Sequence, residues 1–213
     1  HKVVILSRGY KRTPNTETMG DEPHMLQINL KDVPVIVDAD RRRSGNRAIR
    51  DYGIDTVILD DGFQQWKIKK DLEIVTIDAT NPFGNRQMIP RGILREPLSS
   101  LRRADIFVLT KTNLNADIGG IKETLHKLKP SSLIIESIHK PAHFYNINKP
   151  DELFNTQALK GKTVTLFSGI GDPYSFENLI SSLGIKIGLS FRFSDHHNYT
   201  IKDLDNIICS CKD

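Results

Sequence analysis

Short apolar, β-branched runs recur along the chain, separated by polar stretches bounded by Gly or Pro, and their spacing predicts alternating strands and helices. Lys2-Val-Val-Ile-Leu-Ser7 opens as a strand. Residues 33–37 predict a second, with Pro34 at its start, and Asp40 to Tyr52 an Arg-rich helix ended by Gly53. Thr56-Val-Ile-Leu59 predicts a buried strand running into Asp60-Asp61-Gly62. Further strands are expected over 72–77, 106–109 and 133–137, with a helix over 120–128 closed by Pro130. After a stretch rich in Lys, Pro, Asn and Asp, a strand (163–167), a Gly-Ile-Gly turn, a helix (173–183), a strand (185–193) and a final helix start complete the series. Strands alternating with helices predict an α/β fold built on a mostly parallel sheet with flanking helices. The polar stretch suggests a core over 1–137, a linker over 138–160 and a smaller α/β C-terminal lobe over 161–213. The abrupt first strand and abrupt end suggest a fragment of a longer protein.

Composition narrows the classes. The 213 residues are 38% hydrophobic and 26% charged, which fits a soluble globular chain and not a disordered one. No apolar run approaches the roughly 18 residues that span a bilayer. Two cysteines, Cys209 and Cys211, are too few and too close for a disulfide scaffold or a zinc site, which points to a reducing compartment. Thirty Lys and Arg against 26 Asp and Glu give a formal charge of +4. That mild surplus is compatible with an anionic substrate or membrane surface.

Candidate chemistry concentrates in a few segments. Val57-Ile-Leu-Asp60-Asp61-Gly62 has the Walker B form: an apolar strand ends in carboxylates at the sheet edge, where Mg²⁺ and phosphates lie in nucleotide enzymes. A simple strand-end turn has the same residues. No phosphate-cradling loop accompanies it. Gly161-Lys162-Thr163 ends like one, but residue 156 is Thr where the first glycine belongs, and the trio precedes a strand instead of following one. Met19-Gly-Asp-Glu-Pro23 predicts a loop whose acids serve as an N-cap or a general base. Ser7-Arg8-Gly-Tyr10-Lys-Arg12 and Arg41-Arg42-Arg43 are anion sites or solvated faces. Met88 to Pro97, carrying Arg91, Arg95 and Glu96, is a shaped cationic loop suited to phosphate. Asp195-His196-His197 reads as a metal site or as an orienting pair. His24, His126, His139 and His143 show no useful spacing.

Together these segments resemble the tetraacyldisaccharide 4'-kinase family, the lipid A 4'-kinases of Gram-negative bacteria. Ser7-Arg-Gly-Tyr10, Gly20-Asp-Glu-Pro23, Leu59-Asp-Asp-Gly-Phe-Gln64, Pro90-Arg-Gly with Leu94-Arg-Glu-Pro-Leu98, Leu109-Thr-Lys111, Gly169-Ile-Gly-Asp-Pro173 and Phe193-Ser-Asp-His196 occur in the family's order. Gln65 departs from the family's usual His. The resemblance implies a P-loop-kinase-like core, a two-stranded linker and a second lobe. It further implies transfer of the ATP γ-phosphate, with Mg²⁺, to the 4'-hydroxyl of a tetraacyldisaccharide 1-phosphate at the cytoplasmic face of the inner membrane. The P-loop and a membrane-associated helix are expected upstream of His1, and the chain by itself is expected to lack turnover. By the same resemblance, Asp21 is the catalytic carboxylate and His196 its partner. Asp60, Asp61 and Glu96 are implied at the metal, Arg95 at the phosphates, and Tyr10, Gln64, Arg8 and Arg91 at the substrate. Two other classes share single features with the chain. Leu109-Thr-Lys111-Thr-Asn113 faintly echoes the base-reading segment of GTPases, and scattered Arg would suit an anion-binding module. No nucleic-acid motif is present, and no nucleic-acid partner is expected.

Overall fold

Residues 1–9, 20–115 and 117–211 are described in the computed structural model, Asp21 by its backbone alone. The first apolar run forms β1 (Val3–Ser7), and α1 follows at Asp21–Asn29. That helix was not expected. The Gly-Asp-Glu-Pro segment is no loop: Gly20 is the N-cap and Asp21-Glu22-Pro23 the first turn, where acids suit the positive end of the helix dipole and proline lacks a needed N–H least. β2 (Val35–Val37) and β3 (Thr56–Leu59) pair in parallel with β1 on either side, giving the order β2-β1-β3. Between them lies α2 (Arg41–Tyr52). Its ends are as the sequence implies: the Asp40 side chain accepts the N–H groups of Arg42 and Arg43, and Gly53 closes it at φ 61°. A core of Val4, Leu6, Ala48 and Ile54, with Ile36 and Leu59 against it, fixes α2 on β1. β3 is less buried than its apolar sequence suggests. It pairs only with β1 among the described strands, and Val57 and Ile58 are exposed.

β4 (Ile74–Asp78), β5 (Ile106–Thr110) and β6 (Leu133–Glu136) form a second sheet in the order β4-β5-β6, with α3 at Ile118–Leu128. A short 3-10 helix, Leu98–Arg103, precedes β5. Within 138–160 the chain forms an antiparallel hairpin of β7 (Phe144–Asn146) and β8 (Lys149–Phe154). β9 (Thr163–Ser168), α4 (Pro173–Ser182) and β10 (Lys186–Arg192) make a parallel strand–helix–strand unit, and α5 (Ile201–Ser210) follows. Thr200 and Asp203 close the start of α5 as a reciprocal capping box.

Two compact units divide the chain. The first holds residues 1–76, 94–108 and 125–135, the second 77–93, 109–124 and 136–213. Among the described residues no helix is long and apolar enough to cross a membrane.

Candidate active site

In the first unit, the ladder between β1 and β3 delivers the acidic pair. The Asp60 N–H donates to the Leu6 carbonyl at 3.0 Å, so Asp60 extends the strand by one residue. Its Oδ2 accepts from the buried Ser7 hydroxyl at 2.8 Å. Its carbonyl accepts from the Arg41 guanidinium at 2.7 Å. Arg41 is only 3% exposed, and its Nε has no hydrogen-bond partner among the described residues. Burial pushes the Arg41 pKa down, opposed by the charges of Asp60 and Asp61 and assisted by that of Arg8. Asp61 then adopts a left-handed conformation, φ 47°, and turns the chain away from the sheet. Gly62 must follow. A Cβ there would lie 2.6 Å from the Leu59 Cβ and 2.9 Å from the Leu59 carbonyl oxygen. Asp61 itself reaches outward to Arg95, whose Nη1 donates to both carboxylate oxygens at 2.7 and 2.9 Å, with both side chains more than 60% exposed.

Beside Arg95, Glu96 turns the other way. Its Oε1 accepts from Gln64 Nε2 at 3.0 Å, and Arg103 reaches its two oxygens at 3.1 and 2.9 Å. Burial works to raise the Glu96 pKa, but hydrogen bonds from Arg103, Gln64 and Ser100 outweigh it and hold the carboxyl below its usual range. The Arg103 guanidinium lies 4.2 Å from the Phe63 ring centre and 4.1 Å from that of Trp66.

The second unit contains a different acidic cluster. Lys111, in a left-handed turn after β5 (φ 56°), donates to Asp78 at 2.6 Å and to Asp172 at 3.0 Å. Asp172 is the N-cap of α4, accepting from the Ser175 N–H, and Pro173 is its first residue. Burial would lower the lysine and raise both acids. The hydrogen bonds among them reverse this, so Lys111 is shifted up and Asp78 and Asp172 down. The Gly169–Asp172 loop also meets the histidine turn. The His196 N–H donates to the Gly169 carbonyl at 3.1 Å, and a Cβ on Gly169 would sit 3.0 Å from the Tyr199 hydroxyl and 3.1 Å from the His197 Cβ. His196 has φ 57°, with Nε2 3.8 Å from Asp195. Its neighbour His197 is held by an aromatic ring and a carboxylate. It stacks on Phe193, ring centres 4.6 Å apart, and bonds Asp203 at 3.1 Å.

Asp60, Asp61, Gln64, Arg95 and Glu96 therefore all lie in the first unit, where Asp61 pairs with Arg95 and Gln64 with Glu96. Arg8 follows β1, beside Gly9 at φ 73°. Arg91 and His196 belong to the second unit, Arg91 in a tight turn whose carbonyl accepts from Asn85 at 2.7 Å. Asp21 is the first residue of α1 in the first unit, and Tyr10 lies outside the described residues. Among the described residues no three His, Cys, Asp or Glu side chains gather as a metal cage, so Asp195-His196-His197 is not one. Two residues have roles that the sequence leaves open or does not mark. Arg41 looks like part of a solvated Arg run, yet it shares a helical face with Ser44 and Ala48, three and seven residues on, and all three are buried. Arg103 carries no local signal, because its partners lie 7 to 40 residues away.

The model of the tetraacyldisaccharide-1-P 4'-kinase family matches residues 1–212. Tetraacyldisaccharide 4'-kinase of Elusimicrobium minutum is 36% identical, matching 97% of this chain and 60% of its own length. That of Halothermothrix orenii is 32% identical, over 98% of this chain and 61% of its own. Among solved structures, LpxK from Aquifex aeolicus in complex with ATP is similar at a TM-score of 0.64 and 30% identity, over 94% of this chain and 64% of that one. The chain thus spans about 60% of the length of the curated relatives it matches.

Proposed function

The chain belongs to the tetraacyldisaccharide-1-P 4'-kinase family, and we propose that the complete protein transfers the γ-phosphoryl group of ATP to the 4'-hydroxyl of a tetraacyldisaccharide 1-phosphate. The observation that carries this reading is the acidic pair at the end of β3, with Asp60 anchored by Ser7 and Arg41 and Asp61 turned outward beside Arg95. The relative from Aquifex aeolicus was solved with ATP, which supports the nucleotide.

Mg²⁺ fits the residues present. Hard carboxylate oxygens suit it, and it is commonly held by one or two carboxylates plus phosphates and water, so the lack of a larger cage among the described residues is no obstacle. Asp60 and Asp61 would hold it in the manner of a Walker B pair. Glu96 would sit at the margin, reaching a cation through lone pairs not used by Gln64 and Arg103. When bound, the ion neutralises phosphate charge.

The chain's own residues supply the rest. In this reading Asp21 takes the 4'-hydroxyl proton as the new sugar O–P bond forms and the bond to ADP breaks, with His196 as the partner that the family resemblance gives it. Arg95 exchanges Asp61 for phosphate, an exchange favoured by the exposure of both partners. Tyr10, Gln64, Arg8 and Arg91 contact the acceptor. The hairpin of β7 and β8, with every residue of β8 exposed, supports a linker over 138–160 between a core (1–137) and a C-terminal lobe (161–213). A lipid acceptor places the enzyme at the cytoplasmic face of the inner membrane. A GTPase-like reading gains nothing here, since Lys111 is committed to Asp78 and Asp172.

The test is direct. The complete protein, given ATP labelled at the γ-phosphate, Mg²⁺ and tetraacyldisaccharide 1-phosphate, should yield acceptor labelled at the 4' position. Nucleotide hydrolysis without labelled acceptor would overturn the reading.

A further inference from the structure

The turn after the acidic pair is held with more apparatus than a surface turn needs. Lys70 donates to the Gly62 carbonyl at 2.9 Å, and Gln65 and Trp66 close backbone bonds within the turn. Arg103 comes from the 3-10 helix 40 residues on and fills the slot between Phe63 and Trp66. A guanidinium held about 4 Å from two ring centres has little freedom left. Its Nη2 meets both oxygens of Glu96.

The chemistry of Glu96 then decides the orientation of Gln64. An ionised carboxylate only accepts hydrogen bonds, so the side of the Gln64 amide facing it has to be the NH₂ group. The amide oxygen accepts from no described residue and is the group Gln64 offers to a ligand. Without Arg103, Glu96 would lose its only cationic partner among the described residues, and the amide would be free to rotate.

We propose that Arg103 is a positioning residue: held between Phe63 and Trp66, it fixes Glu96, and Glu96 locks Gln64 so that the acceptor substrate meets a hydrogen-bond acceptor. This rests on the kinase reading and on Gln64 lying at the acceptor. It implies that the sugar donates to Gln64 through a hydroxyl or an amide N–H. Trp66 is the single tryptophan of this chain and is 68% exposed, so it reports on the slot.

The experiment uses the complete protein with Arg103→Met, Arg103→Lys, Gln64→Met and the Arg103→Met/Gln64→Met double variant. Arg103→Met should lower kcat/KM for the lipid acceptor on the order of 10–100-fold, as loss of a supporting partner commonly does, with KM for ATP within about twofold. Millimolar methylguanidinium should restore part of that activity and shift fluorescence back toward wild type, a change missing in a Trp66→Phe background. Arg103→Lys, which keeps the charge without the planar fork, should fall between wild type and Met. The double variant should be no worse than Gln64→Met by more than about threefold, because both act through Glu96. Wild-type kinetics in Arg103→Met, or losses that multiply in the double variant, would overturn the proposal. If Arg103→Met does not fold, Arg103→Lys with wild-type kinetics would overturn it equally. Wild-type kinetics in Gln64→Met would remove the inference alone. The kinase reading falls only if the wild-type protein transfers no phosphate.

Discussion

Each unit carries an acidic site beside the end of a strand, and the two are built in opposite ways. Asp78 and Asp172 close on one ammonium group, that of Lys111, and Asp78 also takes both the N–H and the hydroxyl of Thr80. Among the described residues no single cation hydrogen-bonds the side chains of both Asp60 and Asp61; buried Arg41 bonds only the Asp60 carbonyl. Asp60 is held from behind through one side-chain oxygen and its carbonyl, while Asp61 makes an exposed pair that water screens. A closed cluster shares one ammonium between its two carboxylates and joins β5 to the cap of α4. An open pair keeps carboxylate oxygens for a cation. Acid content alone does not separate them; what separates them is whether the counter-charge is internal.

The largest effects should come from the chemistry served by the open site. Asp21→Asn keeps shape but removes the proposed base, and on that proposal should lower kcat on the order of 10²–10⁴-fold. His196→Ala should also lower it, and the double variant should lose less than the product of the single losses, because paired groups are not additive. A pure KM effect for Asp21→Asn would make it a binding residue.

At the closed site the expected loss is in stability. Lys111→Met leaves two carboxylates facing each other. With both acids partly exposed and so partly screened, it should cost about 1–3 kcal/mol in urea unfolding. Adding Asp172→Asn should return part of that cost. An unchanged midpoint in Lys111→Met would erase the contrast between the sites.

The smallest effect is the acid response. Asp78 and Asp172 have lowered pKa values in the folded chain, so their contribution is complete above the ordinary value of 3.8 and fades as pH falls through the folded values. Asp203, held at about 2 by Thr200 and His197, behaves in the same way between 3.8 and about 2. Lys111 is raised, so its share persists below 10.5 and is lost only as pH climbs past its folded value. In Lys111→Met the part of the acid slope owed to Asp78 and Asp172 should shrink while that of Asp203 remains. Acid titrations of the two proteins that superimpose would contradict this.

Much of this architecture is legible from local rules. Asp40 and Gly53 bracket α2 because a carboxylate caps a helix start and glycine tolerates φ 61° at its end. Asp172-Pro173 announces α4 in the same way. Asp60 and Asp61 are readable because a strand has to end where its apolar run ends. Gly20 and Pro23 look like breakers and suggest a loop around Asp21; at the N-cap and in the first turn they start a helix instead. The Arg run leaves Arg41 open between an anion site and a solvated face, and nothing local marks Arg103. Their roles depend on burial and on partners from other elements, which no local window contains.

The central claim is that Asp60 and Asp61 act through a cation and are not simply strand-end residues. Its most direct test is the Mg²⁺ dependence of phosphoryl transfer by the complete protein, wild type beside Asp60→Ala and Asp61→Ala, with each melting temperature measured alongside. The account predicts turnover lowered on the order of 10²-fold or more in both variants, a higher Mg²⁺ requirement wherever activity survives, and melting within a few degrees of wild type. Wild-type turnover at wild-type Mg²⁺ in both variants would contradict it.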